Sequence, residues 1–161
     1  MVTVNEIIKK YPDIVFHVHL SKIPKLDSMP QEIESGNTEY KRCLINDSHQ
    51  KLSKLATQMK WRILEALTHR KKSAIYYIGV EDDGEIVGLT DEQLKNSIKN
   101  LTRMAKNIHA SIYKIIIIKY VLINDPARNE PSLNKSTTNE IQIVKALIRL
   151  NDDQSDVVYF D

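Results

Sequence analysis

The chain has 161 residues, 23 Lys and Arg against 21 Asp and Glu for a net charge of +2, and a single cysteine. That length suits one compact domain with a real core, and the ordinary apolar and charged fractions exclude a disordered chain. Having Cys43 alone excludes a disulfide framework and a Cys-rich zinc site, and no apolar run reaches the roughly 18–20 residues of a membrane span.

The opening stretch, MVTVNEIIKKYPD, lacks the apolar centre of a secretory signal. A cytoplasmic protein in a reducing compartment, with no membrane partner, is therefore expected. Residues 13–20, DIVFHVHL, alternate as a strand does, and KIPKLDSMP (22–30) is a proline-containing connector. Residues 1–30 thus form an N-terminal strand and its connector, within one domain over 1–161. TEYKRCLI (38–45) reads as a second strand. From Asp47 or Ser48 the period becomes helical: Leu52, Leu55, Ala56, Met59, Ile63 and Leu67 form one apolar stripe that stops near THRKK.

SAIYYIGV (73–80) is a buried strand by its β-branched and aromatic content, and Asp83-Gly84 is a tight-turn signal. EIVGL after it predicts the returning strand of a hairpin. Thr90 opens TDEQ, a capping box with Gln93, and a second helix carries Leu94, Ile98, Leu101, Ala105 and Ile108 inside. SIYKIIIIKYVLI (111–123) is a long strand whose centre is expected to be covered on both sides. The polar stretch 124–138 reads as a flexible loop, and NEIQIVKALIRL (139–150) as a last strand. The predicted order is β-β-α-β-β-α-β-β: an α+β fold with a single mixed β-sheet and two main helices.

Charge is segregated along this chain. Nine Lys and Arg lie between Lys41 and Lys72 against only Asp47 and Glu65, and six basic residues lie between Lys95 and Lys119 with no acid. Such clustering marks a face for polyanions, with Arg42, Lys51, Lys54, Arg62, Arg70, Lys71, Lys72, Lys95, Lys99, Arg103 and Lys106 as candidate RNA phosphate contacts. No GxxxxGK[ST] is present, so no nucleotide-binding P-loop is expected. His17 and His19 share one strand face without a third ligand, so no zinc is expected. Trp61 reads as core or core edge, and Cys43 shows no sign of activation.

The acids of ESGNTEYKR are more promising. Glu39 and Lys41 are i and i+2 on a strand and share a face. A carboxylate there can hold Mg²⁺ or Mn²⁺, and the lysine can neutralise a phosphate; Glu34 and Asp82 could complete a hard-metal site. The bland alternative is a polar loop leading into a strand.

ESGNTEYKR resembles the E-x4-E-[FY]-K-R signature of the Schlafen core domain, a divergent Alba-type fold, and YYIGVEDDGEIVGL resembles that domain's second block. The resemblance implies a metal-dependent endoribonuclease acting on transfer or ribosomal RNA, with Glu34, Glu39 and Asp82 as metal ligands and Lys41 on the phosphate. ESGNTEYK, TQMKWRILEA, YIGVEDDGEIVGLTDEQ and LTRMAKNIHASI are also similar, over roughly 32–112, to the amino-terminal region of the GTP-binding protein 1 and 2 family of elongation-factor-like GTPases. That likeness implies the same domain without the GTPase, as a fragment or a stand-alone version. Schlafen cores carry two lobes and a structural zinc, whereas one lobe and one cysteine are present here; a homodimer would rebuild the groove. Two functions stay open: a Mg²⁺- or Mn²⁺-dependent endoribonuclease, and a non-catalytic RNA- or ribosome-binding module.

Overall fold

The computed structural model describes residues 4–123 and 140–151. Along the chain run α1 (Val4–Lys10), β1 (Val15–Ile23), β2 (Thr38–Lys41), α2 (His49–Thr68), β3 (Ala74–Ile78), α3 (Asp91–Asn107), β4 (Ala110–Leu122) and β5 (Glu140–Leu150). The strands form one mixed sheet in the order β1-β4-β5-β3-β2. The outer pairs, β1 with β4 and β2 with β3, are parallel; β5 runs antiparallel to both of its neighbours. The α+β class with one mixed sheet is as expected. The expected loop 124–138 lies outside the described residues.

Both long helices start where their caps predict. Ser48 Oγ accepts the Lys51 N–H at the head of α2. At α3, Thr90 Oγ1 accepts the Gln93 N–H at 3.1 Å while the Thr90 N–H donates to Gln93 Oε1 at 2.9 Å. Such reciprocal caps satisfy two orphan donors, and their loss costs about 0.5–2 kcal/mol. The apolar stripes of both helices, apart from the exposed Leu67, then enter one core with Ala74, Tyr76 and Ile78 of β3, Ile115 and Ile117 of β4, and Val144, Ala146 and Ile148 of β5. Ile7 of α1, a helix the sequence reading omits, adds to the same cluster.

Four expectations are corrected. The strand at 38–45 stops at Lys41, because α3 supplies the next backbone partners: Ser97 Oγ accepts the Leu44 N–H, and Asn100 Nδ2 donates to the Leu44 carbonyl. EIVGL forms no strand beyond a Val80–Ile86 bridge. There Gly79 and Gly88 both take positive φ, and the N–H groups of Val87 and Gly88 converge on the Gly79 carbonyl, which turns the chain instead of extending it. Trp61 is 64% exposed rather than core. Among the described residues, the centre of β4 is fully covered on the helix side but only in part on the other, where Ile116 and Ile118 are half-buried and Ile118 packs with Tyr40, Val80 and Ile143.

Candidate functional site

Strand β2 and helix α2 build the acidic site between them. Glu39 and Lys41 pair across the ladder with Tyr76 and Ile78, so both point to the helix-covered side, as their i, i+2 spacing requires. Lys41 Nζ lies 3.7 Å from Glu39 Oε2 and also donates to Gln58 Oε1 at 3.1 Å. Arg62 arrives from the buried stripe of α2. Its Nε donates to Glu39 Oε1 at 3.0 Å, and its Nη1 donates to the carbonyls of Ile33, Glu34 and Gly36 at 3.2, 3.1 and 3.0 Å. Its Nη2 stands 3.9 Å from Glu32 Oε2. One guanidinium thus ties a strand carboxylate, a second carboxylate and the loop between them.

The connector reaches this point because the turn after β3 pins it. The Met29 N–H donates to the Gly84 carbonyl and the Glu32 N–H to the Asp82 carbonyl, both at 2.8 Å. Tyr40 Oη donates to the Pro30 carbonyl at 2.9 Å, and the Tyr40 N–H donates to Glu32 Oε2. Gly84 has φ +95°, and a Cβ there would lie 1.9 Å from the Met29 oxygen, so the close approach requires glycine.

Burial pushes the Glu32 carboxyl up to about 6; the Tyr40 N–H opposes this, and the charges of Glu39 and Asp82 add to it. The Tyr76 phenol, opposite Glu39 in the ladder, is pushed up by burial first and by the Glu39 charge next, while Arg62 works against both. Its hydroxyl is buried without a hydrogen-bond partner among the described residues.

The predicted residues land in different settings. Glu39 and Lys41 lie inside the site. Glu34 is exposed and helps line a cleft of about 350 Å³ that also borders Glu32, Glu39, Gln58, Trp61, Arg62 and Glu65. Asp82 is exposed at the turn, close enough to act on the charge of Glu32. Glu32, absent from the signature, is drawn in by its contacts to Tyr40 and Arg62, which sequence spacing does not encode. Among the described residues, no three His, Cys, Asp or Glu side chains group as a metal site. As arranged, the donors do not fit a hard cation: Glu39 already serves two cationic side chains, and the guanidinium bridges the buried Glu39 and the half-buried Glu32.

Arg62 is a correction to the phosphate-binding set, for it is 7% exposed and fully engaged. The others remain on the surface. Lys51 and Lys54 lie exposed on α2, and Arg70, Lys71 and Lys72 follow its end. Lys99, Arg103 and Lys106 are exposed on α3, with Lys95 half-buried beside them. Arg42 is exposed and pairs with Glu81 at 3.5 Å.

The chain is 46% identical over 84 residues to GTP-binding protein 2 of Mus musculus and of Homo sapiens, a match covering 52% of this chain and 13% of each relative. The likeness falls in the amino-terminal region of those proteins. An uncharacterized protein of Acanthamoeba polyphaga mimivirus is 35% identical over 91 residues, covering 56% of this chain and 47% of the viral one. No protein-family model matches the chain, and no solved structure does. No helix among the described residues is long and apolar enough to cross a membrane.

Proposed function

We propose that this chain is a non-catalytic RNA-binding module, equivalent to the amino-terminal domain of a GTPase acting in translation, with structured RNA or the ribosome as its partner. The observation that carries the reading is Arg62. A buried guanidinium joins Glu39, Glu32 and three loop carbonyls, which makes the acidic cluster a structural clasp. The partial likeness to GTP-binding protein 2 is consistent with it. Lys95, Lys99 and Arg103 on α3, with Lys51 and Lys54 on α2, offer phosphate contacts that follow the shape of an RNA more than its sequence.

A second reading, the Mg²⁺- or Mn²⁺-dependent endoribonuclease, draws on the proximity of Glu32, Glu39 and Asp82, close enough to raise the Glu32 pKa. It requires Arg62 to withdraw so that Glu34, Glu39 and Asp82 are free to take the cation, with Lys41 toward the phosphate. A homodimer supplying the second lobe belongs to this reading.

Incubation with total RNA in Mg²⁺ or Mn²⁺, with and without chelator, separates the two. The module leaves the RNA intact in every arm, yet retards folded RNA in a salt-dependent manner. Chelator-sensitive cleavage that Glu39→Gln abolishes would overturn the module and establish the enzyme.

A further inference from the structure

We infer that the sheet face turned away from the helices is a stacking surface for single-stranded RNA, an inference that rests on the RNA-binding reading above and assigns a second, distinct surface to it. The register puts Tyr77 of β3 beside Lys145 of β5, and Lys114 of β4 in the next row of the same face. A bulge between Ile112 and Lys114 turns Tyr113 outward beside them, and the residue is 48% exposed. Both rings carry a cation. Lys145 Nζ lies 5.6 Å from the Tyr77 centroid, and the Arg149 guanidinium lies 3.7 Å from that of Tyr113. Arg149 is fixed in turn by its Nε, which donates to Ser73 Oγ at 2.8 Å.

The sign of the charge names the occupant. The described strands contain two acids, Glu39 and Glu140, and alternation sends both to the opposite side, where they pair with Arg62 and Lys119. Among the described residues, the face away from the helices therefore presents rings and cations with no strand carboxylate. A protein partner or a second copy would leave Lys114, Lys145 and Arg149 to find acids, whereas an RNA strand satisfies them with phosphates and lays its bases on the rings. Among the described residues, the connector and the turn after β3 cover one end of this face, where Met29, Tyr77, Ile86, Ile118 and Tyr120 pack on Tyr40, Val80 and Ile143. Beyond the half-buried Tyr77, an extended strand can run past Lys145 to the exposed Tyr113.

The test is fluorescence anisotropy of the whole chain with a labelled single-stranded oligouridine of about 12 nucleotides, a length within the range one small domain occupies, and with an RNA hairpin. Tyr113→Ala should weaken oligouridine binding at least about fivefold, Tyr113→Phe should restore it, and Lys145→Glu should weaken it by raising repulsion. None of these should alter hairpin binding, whereas the triple change of Lys95, Lys99 and Arg103 to Glu should weaken hairpin binding. Circular dichroism confirms that each variant folds. Tyr113→Ala and Lys145→Glu both binding oligouridine like wild type would overturn the inference and leave the module reading standing, provided the hairpin still binds. A wild type that binds neither RNA would sink both. A dimer that Lys145→Glu dissolves without change in RNA affinity would overturn the inference by assigning the face to a second copy.

Discussion

Replacing Arg62 by Met keeps an unbranched stem in the stripe of α2 and deletes the guanidinium. Among the described residues, Glu39, 8% exposed, would then keep Lys41 at 3.7 Å as its one cationic partner. The carbonyls of Ile33, Glu34 and Gly36 would lose their shared donor. Removing one member of a buried ion pair costs about 3–5 kcal/mol, chiefly because the other charge stays buried. The loop carbonyls add less, since their loop is exposed and water can replace Nη1. At about 2–4 °C per kcal/mol for a domain of this size, the melting midpoint should fall by about 6–20 °C. Thermal unfolding by circular dichroism reads this directly. Pairing the change with Glu39→Gln should recover part of the loss, with a coupling of about 0.5–3 kcal/mol, because no charge is then stranded. A loss below about 1 kcal/mol for Arg62→Met, well under the range for a broken buried pair, would refute the clasp. So would a wild type whose midpoint rises in millimolar Mn²⁺, since that rise means the carboxylates bind a cation with Arg62 in place.

Glu32 should make stability depend on pH. Its folded pKa, about 6, stands above the ordinary 4.5, so the folded chain holds more protons between those values and stability falls as pH rises through that window. Glu32→Gln removes this titration, and its midpoint relative to wild type should be higher at pH 7.5 than at pH 4.5; a difference independent of pH would count against the burial of that carboxyl. Gly84→Ala forces a Cβ to within 1.9 Å of the Met29 oxygen at φ +95°. The backbone conformation alone costs about 1–3 kcal/mol, and hydrogen exchange at the Met29 and Glu32 amides should accelerate as the connector lifts; unchanged exchange there would show that the turn does not hold it.

The sequence by itself determined the elements whose signals are local. Helix α3 is capped at Thr90 because a capping box needs only four consecutive residues, and α2 buries its stripe from Leu52 to Ile63 because the 3.6-residue period selects it. The pairing of Glu39 with Lys41 on one face was equally legible, being a property of any strand. EIVGL misled because the Asp83-Gly84 turn signal before it promised a hairpin, while Gly79 and Gly88 turned the backbone back on itself. Only the tertiary structure decided the meaning of the acids. Arg62 lies 23 residues from Glu39, and sequence reading placed it with the exposed cations. Packing sends it inward, since the ring of buried neighbours around Met59 and Ile63 sets the orientation of α2 and carries Arg62 onto β2. Glu32 joins through the turn at Gly84, where a missing Cβ lets two loops touch. Local patterns record which way a side chain leaves its own element; which charge it then meets depends on elements that the fold alone brings together.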